Sequence, residues 1–486
     1  MALVSDEQVI KVLRQYNPWW RNPLAIKEES KPQKRLAYYE AMRMITHKTI
    51  RRFAVLSGAR RVGKTTIMYQ MIDKLLEEGI NPKNILYVSF DNPIVKLVNV
   101  DTVLSIYESL YPIEGNRYLF FDEIQYTEHW ELWMKVIYDS RKDVCLTATG
   151  SASPILEKGS ADSGTGRWSV LKIPTMSFYE YCKLLQLDEP ILPDHLKLTE
   201  FVKMSNAEIG DLMDRFSPLE SQFNRYLLIG GFPELVLSDD DMYAQRMLRE
   251  DVVDKVIKRD VLTLFNIRSP LLMEKLFLYL CMNSTEIFSV GTAAKELENT
   301  SSATLDNYID ALEMSNLIYV SKPMDVGSKG ALKGKPKIYI ADAAIRNAVL
   351  MIDDVLSDEK ELGAMVETTV YKHIMSFYQG TTAQLGYFRK SRDNQKEVDV
   401  VIELPREKIL CEVKYRSNSH LPESDAIVEL CNDKASKVTS AFLITKRLDD
   451  FGITRHNTEV PIMRVPAIAF LYLLGKSEAD RRNGQM

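Results

Sequence analysis

Four short, unbroken apolar runs mark the first third of the chain: Phe53-Ala54-Val55-Leu56, the core of Asn84 to Asp91, Tyr118-Leu119-Phe120-Phe121, and Val144-Cys145-Leu146 leading into Thr147-Ala148-Thr149. Runs of this length without alternation read as strands buried on both faces, as in a parallel sheet covered by helices. Thr66 to Ile72 reads as a helix between the first two, and amphipathic spacing predicts another helix over Lys34 to His47. From Ser163 to Tyr181 the pattern gives a loop, a strand and a turn into a helix. Glu180 to Phe265 reads as mostly helical, broken at Gly230-Gly231-Phe232-Pro233-Glu234 where glycine and proline interrupt the periodicity. Val290 to Leu297, Ser301 to Met314 and Leu317 to Val320 then run helix, turn, helix, strand, which is the order of a winged helix.

In the last part of the chain two strands, Glu397 to Leu404 and Lys408 to Lys414, flank Pro405-Arg406. A two-residue turn there makes each position i oppose 811 minus i, setting Asp399 across from Glu412 and Glu397 across from Lys414. Strand alternation puts these acids on one face and Val398, Val400, Cys411 and Val413 on the other. Directly opposed carboxylates repel unless something positive lies between them. A divalent metal (Mg²⁺ or Mn²⁺) held by Asp399 and Glu412 supplies such a charge, with Lys414 orienting water or stabilising a phosphorane. Glu367, on a helix predicted over Gly363 to Tyr371, is a candidate third acid; the alternative is a surface ladder of mixed charge on an edge strand.

The first apolar run ends in Gly58-Ala59-Arg60-Arg61-Val62-Gly63-Lys64-Thr65, of the form G-x-x-x-x-G-K-T. Glycines at both ends let the backbone wrap a triphosphate, so that N–H groups and the following helix N-terminus face anionic oxygens. Lys64 then reaches the β/γ-phosphates and Thr65 holds Mg²⁺, which makes Gly58, Arg61, Gly63, Lys64, Thr65 and Thr66 the nucleotide-binding candidates. The third run ends in Asp122-Glu123, where Asp122 reads as a Mg²⁺ ligand and Glu123 as the group that polarises water, favouring hydrolysis over mere binding. The fourth runs into Gly150-Ser151, so Thr149 or Ser151 reads either as a contact to the γ-phosphate or as a local strand cap. Arg167 reads either as an arginine that neutralises transition-state charge, in its own chain or a neighbouring one, or as half of a surface ion pair.

Composition narrows the class. A chain of 486 residues has room for three or more domains, and 45% hydrophobic content is ordinary for globular proteins. No stretch approaches the ~18 apolar residues of a membrane span, and the polar start Met1 to Gln8 lacks a signal-peptide core, so a cytoplasmic location is expected. Five cysteines without C-x-x-C spacing and six histidines without metal spacing point to core thiols, with neither disulfides nor zinc. A net charge of −5 excludes a general nucleic-acid-binding coat, so any such contact is local. Lys329, Lys333, Lys335 and Lys337, on the loop between Gly327 and the strand Ile338 to Asp342, suit phosphate contacts or simply keep a hairpin soluble. The pair Trp19-Trp20 reads either as a base-stacking platform or as packing.

Taken in order, these motifs resemble a family of prokaryotic ATP-binding proteins that join an AAA-type ATPase core to a C-terminal DUF4143 domain. The resemblance is carried by Gly58 to Thr66, Asp122-Glu123-Ile124-Gln125, Gly150-Ser151, Gly166-Arg167, Ser177-Phe178, Gly230 to Glu234, Tyr339 to Asp342, Glu367, Asp399 and Glu412-Val413-Lys414. It implies an α/β fold: an ASCE-class P-loop AAA-type parallel sheet, a helical lid, a winged-helix module and a C-terminal restriction-endonuclease-like α/β domain of the PD-(D/E)xK kind. The corresponding division is an N-terminal helical arm over 1–48, the ATPase core over 49–180, the lid over 181–265, the winged helix over 266–352 and the nuclease-like domain over 353–486. Within it Asp399, Glu412 and Glu367 match metal positions and Lys414 the lysine, although the Pro-Asp of the pattern is Val398-Asp399 here. The implied cofactors are ATP and Mg²⁺, and the implied partners are DNA and further copies of the chain. The favoured reading is an ATPase that acts on DNA; the second is a signalling switch of the STAND type whose C-terminal domain does not cut; the third is an assembly protein that only binds nucleotide.

Overall fold

The computed structural model describes residues 4–47, 49–111, 114–150, 166–193, 196–265, 267–297, 300–326, 334–352, 354–390 and 396–483. The chain separates into two compact units, Met1–Pro174 with Met314–Asn316, and Thr175–Glu313 with Leu317–Met486. In the first unit the four apolar runs are β1 (Phe53–Ser57), β2 (Ile85–Ser89), β3 (Arg117–Asp122) and β4 (Val144–Gly150), joined by β5 (Trp168–Lys172). The sheet order is β2-β3-β4-β1-β5 and every neighbouring pair is parallel. Every residue of β1 is buried, which is why its sequence does not alternate. Because β4 lies between β1 and β3, the glycine loop and the acidic pair leave the same sheet edge two strands apart, with the end of β4 between them.

β2 is an edge strand, and an uncovered edge presents unpaired backbone groups. The N-terminal arm closes it with side chains. Helix Asp6–Tyr16 starts at a capping box of Ser5 and Gln8 and delivers Asn17 to the edge. There the Asn17 amide acts as a short strand, donating to Tyr87 O at 2.8 Å and accepting from Tyr87 N at 2.7 Å. Both indoles donate to Ile85 O, Trp19 at 3.2 Å and Trp20 at 2.8 Å, and Trp20 stacks on Tyr107 with centroids 5.7 Å apart. Both rings are buried, so of the two readings of this pair packing is the one observed, and base stacking is excluded.

The second unit begins with helices and ends in an eight-stranded mixed sheet. Its strands are β6 (Ile318–Pro323), β7 (Lys337–Ile340), β8 (Gln384–Arg389), β9 (Glu397–Glu403), β10 (Lys408–Lys414), β11 (Ser440–Thr445), β12 (Gly452–Ile453) and β13 (Ile462–Pro466), in the order β12-β13-β11-β10-β9-β8-β6-β7. Helices Val290–Glu296 and Ser302–Met314 precede β6, which pairs antiparallel with β7 and in parallel with β8. One sheet therefore runs through both the expected winged-helix segment and the expected nuclease-like segment.

Three motifs without an assigned chemistry meet in the core of this unit. Asp342 and Lys372 form an ion pair at 3.0 Å with both side chains 3% exposed. Lys372 Nζ also donates to Tyr226 OH at 2.7 Å, Thr175 Oγ1 at 3.0 Å and Met176 O at 3.2 Å, so its charge is fully coordinated. Asp342 accepts from Thr175 Oγ1 at 2.6 Å and Gly231 N at 3.2 Å, and caps helix Ala343–Leu350 through Ala344 N at 3.1 Å. The chain approaches so closely that a Cβ on Gly231 would lie 2.4 Å from Met176 O. Gly230-Gly231 and Ile340-Ala341-Asp342 thus serve a buried polar junction.

Beside it, His373 accepts from Phe178 N at 2.9 Å through Nε2, while its Nδ1 lies 2.7 Å from Thr369 O and donates to it. Burial, reinforced by the neighbouring Lys372 charge, lowers its pKa to about 3, so the native imidazole is neutral. The unfolded chain takes up this proton near pH 6.5 and the native chain does not. Stability from this residue is therefore complete above pH 6.5 and falls as pH drops toward 3, by about 1.4 kcal/mol per pH unit. Chemical unfolding at pH 7 and pH 5 should differ by about 2 kcal/mol from this source, and His373→Gln should remove that part of the slope; an unchanged slope would contradict a neutral buried imidazole.

Candidate functional site

At the C-terminal edge of the first unit's sheet, the loop after β1 turns into helix Lys64–Glu77 through Arg61 at φ 62° and Gly63 at φ 92°. Left-handed φ suits glycine, and Arg61 adopts it only because the loop imposes it. A Cβ on Gly58 would lie 2.3 Å from Ile173 O, so this position requires glycine for close approach. Lys64 is 5% exposed and donates to Gly58 O and Ala59 O, both at 2.8 Å, folding back over the loop that its ammonium serves. Thr66 follows on the helix, half-buried. Arg35, from the N-terminal arm, donates to Val62 O at 2.9 Å and Pro174 O at 2.8 Å and so fixes the loop's far side.

Asp122 ends β3 and is 5% exposed. Three hydroxyls donate to its carboxylate: Thr65 at 2.9 Å, Tyr87 at 2.8 Å, and Thr149. Burial and the Asp122 charge push the Tyr87 hydroxyl well above its usual range, which keeps it a donor. Glu123 has φ 50°, ψ 49°, a strained conformation for a non-glycine residue. Its N–H donates to Thr149 Oγ1 at 2.9 Å and its carboxylate accepts from the Gln125 amide. Thr149 is fully buried, and its hydroxyl bridges Asp122 and Glu123 and so positions the acidic pair. Ser151, the other candidate, lies outside the described residues.

These side chains fit nucleotide and Mg²⁺. The hydroxyl of Thr65 and the carboxylate of Asp122 form a hard oxygen pair already 2.9 Å apart, and the loop leaves backbone N–H groups at a helix N-terminus. Arg167 sits elsewhere. It precedes β5 at the N-terminal edge of the sheet, where its carbonyl accepts from Phe53 N at 3.0 Å, and it pairs bidentately with Asp139 at 3.0 and 3.1 Å. The surface ion pair is therefore the observed reading. The length of β1 separates Arg167 from its own glycine loop, which leaves a finger role only toward a neighbouring chain.

The acids of the second unit also come together, in an unexpected way. Pro405-Arg406 is a two-residue turn, with Leu404 N donating to Glu407 O at 2.8 Å, and the ladder follows the expected register from Lys408 with Glu403 to Cys411 with Val400. Beyond that pair side chains replace the backbone ladder: Val413 N donates to Asp399 Oδ2 at 2.9 Å and Asp399 N to Glu412 Oε2 at 3.4 Å. The positive charge among the carboxylates is Lys337, at the start of β7. Its ammonium lies 3.2 Å from Glu367, 2.8 Å from Glu397 and 3.2 Å from Asp399, with the side chain 2% exposed. Tyr339 OH donates to Glu367 Oε1 at 2.9 Å. Lys337 is thereby withdrawn from the loop lysines that suit phosphate; Lys329 and Lys333 lie outside the described residues.

Glu397 faces Lys337 and is not paired with Lys414, as the register had implied. Lys414 instead pairs with Glu412 and lies 3.8 Å from Asp425. Burial and the Asp399 charge push both Glu367 and Glu412 up from the ordinary carboxylate range. A cavity of about 280 Å³ reaches the cluster, with Glu367, Lys414, Lys360, Arg346 and Arg416 on its walls. Among the described residues no group of three or more His, Cys, Asp or Glu side chains is arranged to hold a metal ion.

Sequence reasoning missed Tyr87 and Arg35, and read Lys337 as a loop lysine for phosphate when it pairs with Glu367, Glu397 and Asp399. Tyr87 is on the edge strand two residues before Ser89, which is level with Asp122, a relation that only inter-strand register reveals.

Comparison with known proteins matches residues 51–182 to an AAA domain, 220–356 to the domain of unknown function DUF8612, and 362–465 to the domain of unknown function DUF4143. One uncharacterized protein of Methanocaldococcus jannaschii is 28% identical over 413 residues, 81% of this chain and 82% of its own. An uncharacterized protein of Haemophilus influenzae is 27% identical over 299 residues, 60% of this chain and 68% of its own. Among solved structures, the Aeropyrum pernix ORC1 protein in complex with DNA is 15% identical, with TM-score 0.31 over 70% of this chain and 97% of that one. The Thermotoga maritima RuvB Holliday junction branch migration motor is 16% identical, with TM-score 0.26 over 61% of this chain and 88% of that one. Scores this low carry no inference of activity.

Proposed function

We propose that this chain, which carries an AAA domain followed by a DUF4143 domain, is an ATP-hydrolysing switch whose C-terminal part responds to nucleotide state without cutting nucleic acid. The observation that carries the reading is the assembled catalytic edge, in which Thr149 holds both Asp122 and Glu123 beside Thr65 and Lys64. Bound Mg²⁺ supplies neutralising charge for the β- and γ-phosphates. Thr65 and Asp122 would hold it, Lys64 would exchange its loop carbonyls for phosphate oxygens, and backbone N–H groups of the loop would bind the rest. Glu123, aimed by Gln125, accepts the proton of the attacking water.

Two features support a non-cutting second part. Helix Ser302–Met314, the one a winged helix would offer to a groove, contains Asp306, Asp310 and Glu313 and no lysine or arginine, which repels phosphate. The acidic cluster is also already partnered by Lys337. A DNA-directed reading keeps one specific support: Glu367, Asp399, Glu412 and Lys414 do lie close together.

Phosphate release and DNA integrity, followed together with linear, circular and single-stranded DNA, separate the two. The expected result is turnover absent in Lys64→Ala, indifferent to DNA, over intact DNA. Turnover that rises with DNA, or cleavage, transfers the reading to DNA, and no turnover sinks both.

A further inference from the structure

Lys337 stands at a position where the neighbouring acids call for a cation. An ammonium has three protons to donate, and three carboxylates, Glu367, Glu397 and Asp399, meet this one at 2.8–3.2 Å. Three further oxygens nearby are also engaged: Asp399 Oδ2 by Val413 N at 2.9 Å, Glu412 Oε1 by Lys414, and Glu412 Oε2 by Asp399 N at 3.4 Å. Tyr339 OH takes part of Glu367 and stacks its ring on Tyr371, 4.1 Å between centroids, which fixes the wall of the site. Lys337 itself is held by main-chain pairing to Ser321 in β6, so its stem enters the cluster from a sheet strand and not from a mobile side of the fold. A divalent ion bound by Glu367 and Asp399 would have to share their oxygens with a fixed positive charge about 3 Å away, which is repulsive at any plausible internal dielectric.

We propose that Lys337 is the resident cation of this cluster, a tethered ammonium in the place of a divalent metal, so that the DUF4143 part binds no metal at Glu367, Glu397 and Asp399 while Lys337 is present. The inference concerns the second unit alone and does not rest on ATP turnover. Replacing the ammonium by an apolar chain of similar length leaves the buried Asp399 and the half-buried Glu367 and Glu397 without the cation they share, the condition under which a hard divalent ion binds oxygen ligands well. The 280 Å³ cavity beside Glu367 gives such an ion a way in.

The test is calorimetric titration of the nucleotide-free full chain with Mn²⁺, comparing wild type, Asp399→Asn, Lys337→Met and Lys337→Arg. Wild type and Asp399→Asn should give the same isotherm, since any weak binding at the glycine loop is common to both. Lys337→Met should gain a site absent from wild type, roughly tenfold or more tighter than any background, and Mn²⁺ should raise its unfolding temperature; Lys337→Arg should gain none. A wild-type site that disappears in Asp399→Asn overturns the proposal even if Lys337→Met fails to fold. A folded Lys337→Met that binds no more Mn²⁺ than wild type overturns it equally.

Discussion

Glu123→Gln is expected to retain ATP with near wild-type affinity and to lose turnover by roughly two to four orders of magnitude, the range typical of removing a general base. The amide is isosteric and keeps the Gln125 contact partner in place, while Asp122, Thr65 and Lys64, which bind, are untouched. The loss should therefore fall on kcat and spare binding. Its size is helped by geometry: Glu123 is held at φ 50° by the Thr149 contact to its N–H, so no other carboxylate can take its position without rebuilding the end of β3. Phosphate release under multiple turnover, beside fluorescent-nucleotide binding, measures both quantities. Turnover within a few-fold of wild type would mean that the base is another residue.

Lys372→Met is expected to destabilise the second unit by about 3–5 kcal/mol, the range for removing one partner of a buried pair. Asp342 would keep its charge at 3% exposure with only hydroxyl and N–H donors left, and Tyr226, Thr175 and Met176 would each lose a contact to the ammonium. The double variant Asp342→Asn with Lys372→Met should recover part of the loss, because the uncompensated charge is gone. Hydrogen exchange in helix Glu359–Tyr378 and in helix Ala343–Leu350 reads the second unit separately from the first. A cost below about 1 kcal/mol would show the pair to be dispensable.

The phosphate loop, the acidic strand end and the hairpin register were legible because each is fixed by residues adjacent in sequence. A glycine at 58 and one at 63, or a two-residue turn at 405–406, determines its own geometry, and the pairing of Cys411 with Val400 follows by counting. Strand order was only implied, by the resemblance. The second unit's chemistry was less legible because its partners are remote: Lys337 meets acids 30 to 62 residues further along, and nothing in a lysine at the start of a short strand announces that it is 2% exposed. Trp19 and Trp20 illustrate the same limit, since their indoles are used on a strand more than sixty residues away. Gly230-Gly231 and Asp342 were marked by the resemblance without a role, and their role is an ion pair that no local pattern encodes.

The Asn17 and tryptophan contacts bear on how shortened versions of this protein would behave. A fragment trimmed to begin at the glycine-loop strand would carry β2 with Tyr87 and Ile85 stripped of their side-chain cover, a bare strand ready to pair with its counterpart in another molecule. Sizing such a fragment by chromatography would report stickiness made by the scissors, and a dimer found that way would be an artefact of trimming and would say nothing about how intact chains associate.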